Sequence, residues 1–228
     1  YFRRAGKSFS VRLTAQAWES DSDSDLCAGN QTTPNFALSG ISLGSTLVAP
    51  SGGVPATVGT ASYNHAASSS AQQTVSQSLS EVGVFRLTAT PPSYLGTTIS
   101  ATSSAPVGRF TPYDFAVSNA SITPGCGSFS YMDQPMPTSF TVTARNQSGG
   151  TTSNYRNEFA TATLALVAEN SDNGVSLSSR LSGLGGLSWQ AGLFTVNQHP
   201  ETFARNAPAD GPFSQLAIGL QLFDNETA

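Results

Sequence analysis

His65 and His199 are the only imidazoles in the chain that could act as general bases. A catalytic nucleophile needs such a base within hydrogen-bond reach. Neither histidine stands in a Gly-x-Ser-x-Gly turn or another nucleophile setting. Serines are everywhere, so a serine near a histidine in sequence carries no information, and both read as loop histidines. A glycosidase needs two carboxylates at a fixed separation in unlike environments. Glu81, Glu158 and Glu169 fall on or near expected strands, where solvent-facing carboxylates are the commoner case. Asp21, Asp23 and Asp25 alternate as early calcium ligands do, and calcium takes hard oxygen donors. An EF-hand would also need glycine and glutamate where Leu26 and Thr32 stand, so that loop is excluded. An irregular calcium site and a solvated acidic loop remain as the alternatives. The residues therefore predict no enzymatic activity and no resident cofactor, with calcium as the one candidate.

Two cysteines, Cys27 and Cys126, are too few for a disulfide framework and lack metal-ligand spacing. A Cys27–Cys126 bridge could form in an oxidising compartment. Each could equally be free or pair outside this chain. Lys7, the sole lysine, precedes a first strand as the lysine of a pilus-type isopeptide staple would. The expected closing strand, residues 97–105, has no asparagine to receive it. Trp18, Phe36, Phe85, Phe140, Trp189 and Phe194 fall within strand patterns and read as core. A sugar-binding platform would want exposed aromatics on one face, for which Tyr63, Tyr94, Tyr113 and Tyr155 are the candidates. Asn30, Asn119, Asn146 and Asn225 open Asn-x-Ser/Thr triplets.

The elements that must position these residues read as strands. The chain has 228 residues, of which 11% are charged, far below the roughly 25% of ordinary soluble domains. Ser, Thr, Gly, Asn and Gln fill the gap, as they do on solvated faces of antiparallel sheets. Net charge is −4 with no basic patch, which excludes nucleic acid as a partner. No apolar run approaches the ~18 residues of a membrane span. The chain opens on Tyr1 without a methionine and reads as a piece of a longer one, so the lack of a leader does not place it in the cytosol.

Residues 9–15, 37–43, 82–89, 115–118, 140–146, 159–168, 192–196 and 216–222 carry the alternation or apolar runs of half-buried strands. Residues 94–105, 128–132 and 187–189 also read as strands, and 62–80 is either loop or strand. Turn signals every 8–12 residues predict an all-β chain of two tandem Ig-like antiparallel β-sandwiches. The expected division is 1–107 and 108–228, with 108–130 as a lead-in strand region to the second sandwich. The halves echo one another: residues 9–15 resemble 140–144, and 81–87 resemble 190–196.

At that junction the motifs become distinctive. Gly108-Arg109-Phe110-x-Pro112-x-x-Phe115 is followed by Cys126, then Phe129-x-Tyr131-Met132-Asp133-Gln134-Pro135. Later come Asn154-Tyr155, Asp210-Gly211-Pro212-Phe213 and Ile218-Gly219-Leu220. The series resembles the C-terminal region of MshQ-type proteins of mannose-sensitive haemagglutinin (type IV) pilus loci in Gram-negative bacteria. The resemblance implies an exported, pilus-associated, adhesin-like protein at the bacterial surface, passing through the periplasm, with these modules as stalk or spacer. Its partners would be other domains of the same longer chain and pilus subunits, with a glycan or surface receptor as a further ligand. It supplies no catalytic residues. Gly108, Arg109, Phe110 and Pro112 would be structural, with Arg109 pairing an acid across the junction. The alternative is a carbohydrate-binding module that contacts a glycan through its own loops.

Overall fold

The computed structural model describes residues 2–226 except 21, 24, 26 and 27. Among them lie fourteen strands: β1 (Arg3–Arg4), β2 (Phe9–Thr14), β3 (Leu38–Ala49), β4 (Ser62–His65), β5 (Gln72–Gln77), β6 (Gly83–Thr90), β7 (Thr102–Ser103), β8 (Val107–Thr111), β9 (Asp114–Ile122), β10 (Met136–Arg145), β11 (Thr163–Asn170), β12 (Val175–Ser176), β13 (Leu193–Glu201) and β14 (Leu216–Phe223). Two single-turn 3-10 helices, Asn157–Phe159 and Ser178–Arg180, are the only helical elements among the described residues. The fold is all-β: two tandem Ig-like sandwiches, antiparallel except where β1 runs parallel to β8.

In the first sandwich a sheet ordered β1-β8-β6-β3-β4, with β7 also on β6, faces the pair β2-β5. Phe9, Leu79, Phe85 and Phe110 fill the space between. In the second, β13-β10-β9 faces β12-β11-β14. β10 shows why period 2 produces this: Met136, Thr138, Phe140, Val142 and Ala144 are buried, and the residues between them are half-buried. Phe140, Val142, Tyr155, Trp189, Phe194 and Val196 make its core. A smaller cluster of Met136, Ala168 and Phe203 closes the end far from the first sandwich. β8 ends the first sheet at Thr111, and β9 opens the second at Asp114. Only Pro112 and Tyr113 lie between.

Several expectations need correction. Trp18 lies beyond the end of β2 in no strand and is 69% exposed; an aromatic just past a strand pattern need not follow the strand inward. Residues 128–132 form no strand, because Cys126 and Phe129 exchange backbone hydrogen bonds (2.9 and 3.1 Å) and turn the chain back. Tyr94 and Thr97 do the same at 2.8 and 2.9 Å, leaving only β7 from the strand expected over 94–105. Residues 187–189 form no strand, and only Trp189 of the three is core. The polar stretch 62–80 holds two strands, β4 and β5. The echoes do not mark equivalent places. β10 and β13 are paired neighbours, whereas β2 and β6, their counterparts in sequence, lie in different sheets. A short apolar alternation marks any half-buried strand, whatever its place in a sheet.

Candidate functional site

The junction between the sandwiches holds a dense polar construction. Asn154 is fully buried. Its Oδ1 accepts from the Val54 N–H at 2.7 Å, and its Nδ2 donates to the Val54 carbonyl at 2.8 Å. Gly53 permits this approach, since a Cβ there would stand 2.5 Å from Asn154 Oδ1. Glu81, also buried, accepts the N–H of Ser153 on Oε1 (3.0 Å) and that of Asn154 on Oε2 (3.1 Å). Burial pushes the Glu81 carboxyl above its ordinary range, while the backbone N–H groups of Asn154, Ser153 and Val82 and the charge of Arg156 pull the other way. Arg156 donates to the Gly52 carbonyl at 3.2 Å. Asn146 Nδ2 donates to the Ser80 carbonyl (3.0 Å), the Gln147 N–H to the Ala5 carbonyl (3.0 Å), and Arg4 Nη1 to the Tyr113 carbonyl (2.6 Å).

Apolar packing crosses the same boundary. Val82, fully buried, belongs to the core of the second sandwich, with Ala49 and Val84 against it. Segments of both modules are thus ordered against one continuous core.

The four junction residues singled out in the sequence lie here. Phe110, Thr111 and Pro112 are buried. A Cβ on Gly108 would reach the Gly83 carbonyl at 2.8 Å, so a side chain would push β8 from β6. Arg109 joins three partners: Nη2 donates to the Glu158 carbonyl (3.1 Å) and pairs with Glu226 Oε1 (2.8 Å), and the guanidinium lies 4.5 Å from the Phe159 ring centroid. The Phe2 N–H donates to the Arg109 carbonyl at 2.7 Å. Phe2 and Glu226 therefore meet at one arginine.

The motifs Met132-Asp133 and Asp210-Gly211-Pro212-Phe213 gather at the far end of the second sandwich around Arg180. This buried guanidinium pairs with Asp210 (2.8 Å), donates twice to the Ala204 carbonyl, touches Met132 Sδ (3.3 Å), and lies over the rings of Phe203 and Phe213. Asp133 accepts the Arg205 N–H at 3.0 Å. Nothing in the sequence marked Arg180 except that it is a charge in a long uncharged stretch, 170–199 apart from Asp172.

The residues weighed for catalysis do not assemble a nucleophile. Ser182, His199 and Glu201 come together, but Ser182 Oγ donates to Glu201 Oε1 (2.8 Å) while His199 Nε2 faces the Gly183 carbonyl (2.9 Å). Glu201 Oε2 stands 3.9 Å from His199 Nε2. His65 is buried against Phe36, with Nδ1 3.3 Å from the Tyr63 hydroxyl; burial holds its pKa below the ordinary value, opposed by the backbone of Ala71. Glu81 is buried at the junction, Glu158 is exposed, and Glu169 lies on β11 opposite Ala217.

Asp23 accepts the Asp25 N–H (3.0 Å) and Asn30 Nδ2 (2.9 Å), so its oxygens are used within the loop. Asp21 lies outside the described residues. Among those described, no three His, Cys, Asp or Glu side chains are grouped to hold a metal. Cys126 carries an exposed free thiol; Cys27, its proposed partner, lies outside the described residues. Tyr155, a platform candidate by sequence, is instead fully buried, its hydroxyl accepting the Ala162 N–H at 2.7 Å. Tyr63 and Tyr94 are half-buried beside Phe36 and His65, and Tyr113 is half-buried at the junction. The most exposed aromatic pair is Phe129 (50%) and Tyr131 (61%), 5.1 Å apart beside the Cys126 turn.

Comparison with known families decides the relationship. A family model described as DUF6701, third domain, matches residues 81–228, and one described as DUF6701, second domain, matches residues 1–76. The chain belongs to the DUF6701 family. No curated protein and no solved structure matches it. The two DUF6701 segments meet between β5 and β6, inside the first sandwich: β6, β7 and β8 lie in the third-domain segment, yet β6 pairs with β3 and β8 with β1. No described helix is long and apolar enough to cross a membrane.

Proposed function

We propose that this DUF6701 chain is a non-enzymatic structural and adhesive module of an exported surface protein, of the MshQ type found in mannose-sensitive haemagglutinin pilus loci. The observation that carries this reading is the junction, where the buried side chains of Asn154 and Glu81 hydrogen-bond across it and Val82 enters a shared core. Such a junction suits a part whose task is to hold shape. Phe2 and Glu226 meet at Arg109, so any chain continuing from either residue leaves beside the junction. The block then projects as a rigid platform from a stalk-like protein. Its partners are other domains of the same protein and pilus subunits, and its place is outside the cell, reached through the periplasm. The test is immunogold labelling of this segment in the full-length protein on intact cells. Label along or at the tip of pili is the expected result, and label confined to the cytosol overturns the reading.

The exposed pair Phe129 and Tyr131 favours a second reading, in which the far end of the second sandwich contacts a glycan by ring stacking. A glycan array probed with the protein and with Tyr131→Ala tests it: specific binding lost in the variant supports it, and no binding by either removes it.

A further inference from the structure

The second sandwich leaves one side open. β9 and β14 are the edges of its two facing sheets, and each has a single paired neighbour. Between them runs a groove of about 80 Å³ lined by Val117, Ile122, Phe140, Leu166, Ile218 and Leu220. Unpaired edges template further pairing, and natural sheets guard them with charges, prolines, bulges or short length. β13 carries Pro200, β4 has four residues, and β9 is broken by a register shift where Asn119 sits at φ 53°. β5 is polar, and β2 carries Arg12. β14 has none of these guards. From Leu216 to Phe223 it is uncharged, free of proline, and in unbroken register with β11. Among the described residues it is the one long, apolar, unguarded edge.

We propose that β14 is a self-association edge, where two copies of the chain pair Leu216–Phe223 antiparallel about a two-fold axis through Gly219. The axis defines the register. Leu216 faces Leu222 and Ile218 faces Leu220 on the half-buried side, while Ala217 faces Gln221 on the exposed side. A one-residue slip would set core-facing side chains against solvent-facing ones. The lack of charge argues for a second copy. An isologous interface presents the same patch twice, so two molecules of net charge −4 meet most easily along a strand with no charge to repeat. The result is a six-stranded sheet across the axis, with the groove of each copy closed by the strand of the other.

Directly opposed residues of antiparallel strands have Cα atoms about 4.5–5.5 Å apart, inside the range a disulfide spans. The test places one cysteine at Gly219 in a Cys27→Ser, Cys126→Ser background; the new Cβ would meet Val167 Cγ2 at an ordinary 3.4 Å. Mild oxidation is expected to give a covalent dimer from Gly219→Cys but not from Gln221→Cys, which faces Ala217. Sedimentation equilibrium of the parent is expected to show a concentration-dependent dimer that Ala217→Lys, on the exposed face, abolishes with the far-UV spectrum unchanged. A parent that stays monomeric at its highest soluble concentration overturns the proposal. So does equal crosslinking at 219 and 221, or a dimer that Ala217→Lys leaves intact.

Discussion

Asn154 holds both backbone groups of Val54, a residue one hundred positions earlier, in a two-bond ring of 2.7 and 2.8 Å. A buried amide here does what a neighbouring strand does elsewhere: it satisfies one N–H and one C=O at once. It does so across the junction, where no strand of one sandwich pairs with a strand of the other. Asn154→Ala would remove both bonds and leave a void where the fully buried amide stood, while Val54, itself 43% exposed, can take water in its place. The expected loss is about 1–3 kcal/mol, measured by urea denaturation. A loss within error would show that water replaces the amide fully.

Glu81 and His65 should bend the pH–stability curve in opposite directions. The raised Glu81 pKa means that the folded state holds this proton more tightly than the unfolded chain does. Its contribution is full below the ordinary glutamate value of 4.5 and is lost as pH rises through the raised folded value. The lowered His65 pKa has the opposite sign: its contribution is full above the ordinary 6.5 and is lost as pH falls below that. Denaturation midpoints across pH 4–8 for Glu81→Gln should lack the first slope, and those for His65→Phe the second.

Arg109 is expected to matter more than a surface ion pair. The Glu226 side chain is only 8% exposed, so Arg109→Met leaves a nearly buried carboxylate without its cation and removes the contact with Phe159. Partial exposure of the guanidinium moderates the effect to about 1–2 kcal/mol. Thermal melts at low and high salt should show a difference that shrinks as salt rises.

The two tryptophans should report opposite environments. Trp18 is open to solvent, while Trp189 is buried and donates to the Ala162 carbonyl at 2.8 Å. Acrylamide should quench one emission component that Trp18→Phe removes, with stability unchanged within about 0.5 kcal/mol. Trp189→Ala should cost about 3–5 kcal/mol.

Strands that bury one face were legible, because alternation is the direct imprint of a half-buried sheet. β2, β6 and β14 fall within a residue of their expected ends. β4 and β5 were ambiguous because Ser, Thr and Gln fill their solvent-facing positions and leave little apolar signal. Arg109 was marked by its motif. Asn154 was not marked as a clamp, since an asparagine in a turn looks the same whether its amide bonds locally or across a junction. Arg180 shows a related limit. Its partners Met132, Ala204 and Asp210 lie 24 to 48 positions away, and no local pattern records a contact of that range.

Arg109 also fixes how the protein would carry tension. It binds the Phe2 backbone on one side and the Glu226 carboxylate on the other. A pull applied at those two residues would load the short β1–β8 pairing and this ion pair first. The long hydrogen-bond ladders of both sandwiches would lie outside the load path. Force spectroscopy should then record one early release near Arg109, and only afterwards the resistance of the two folded bodies.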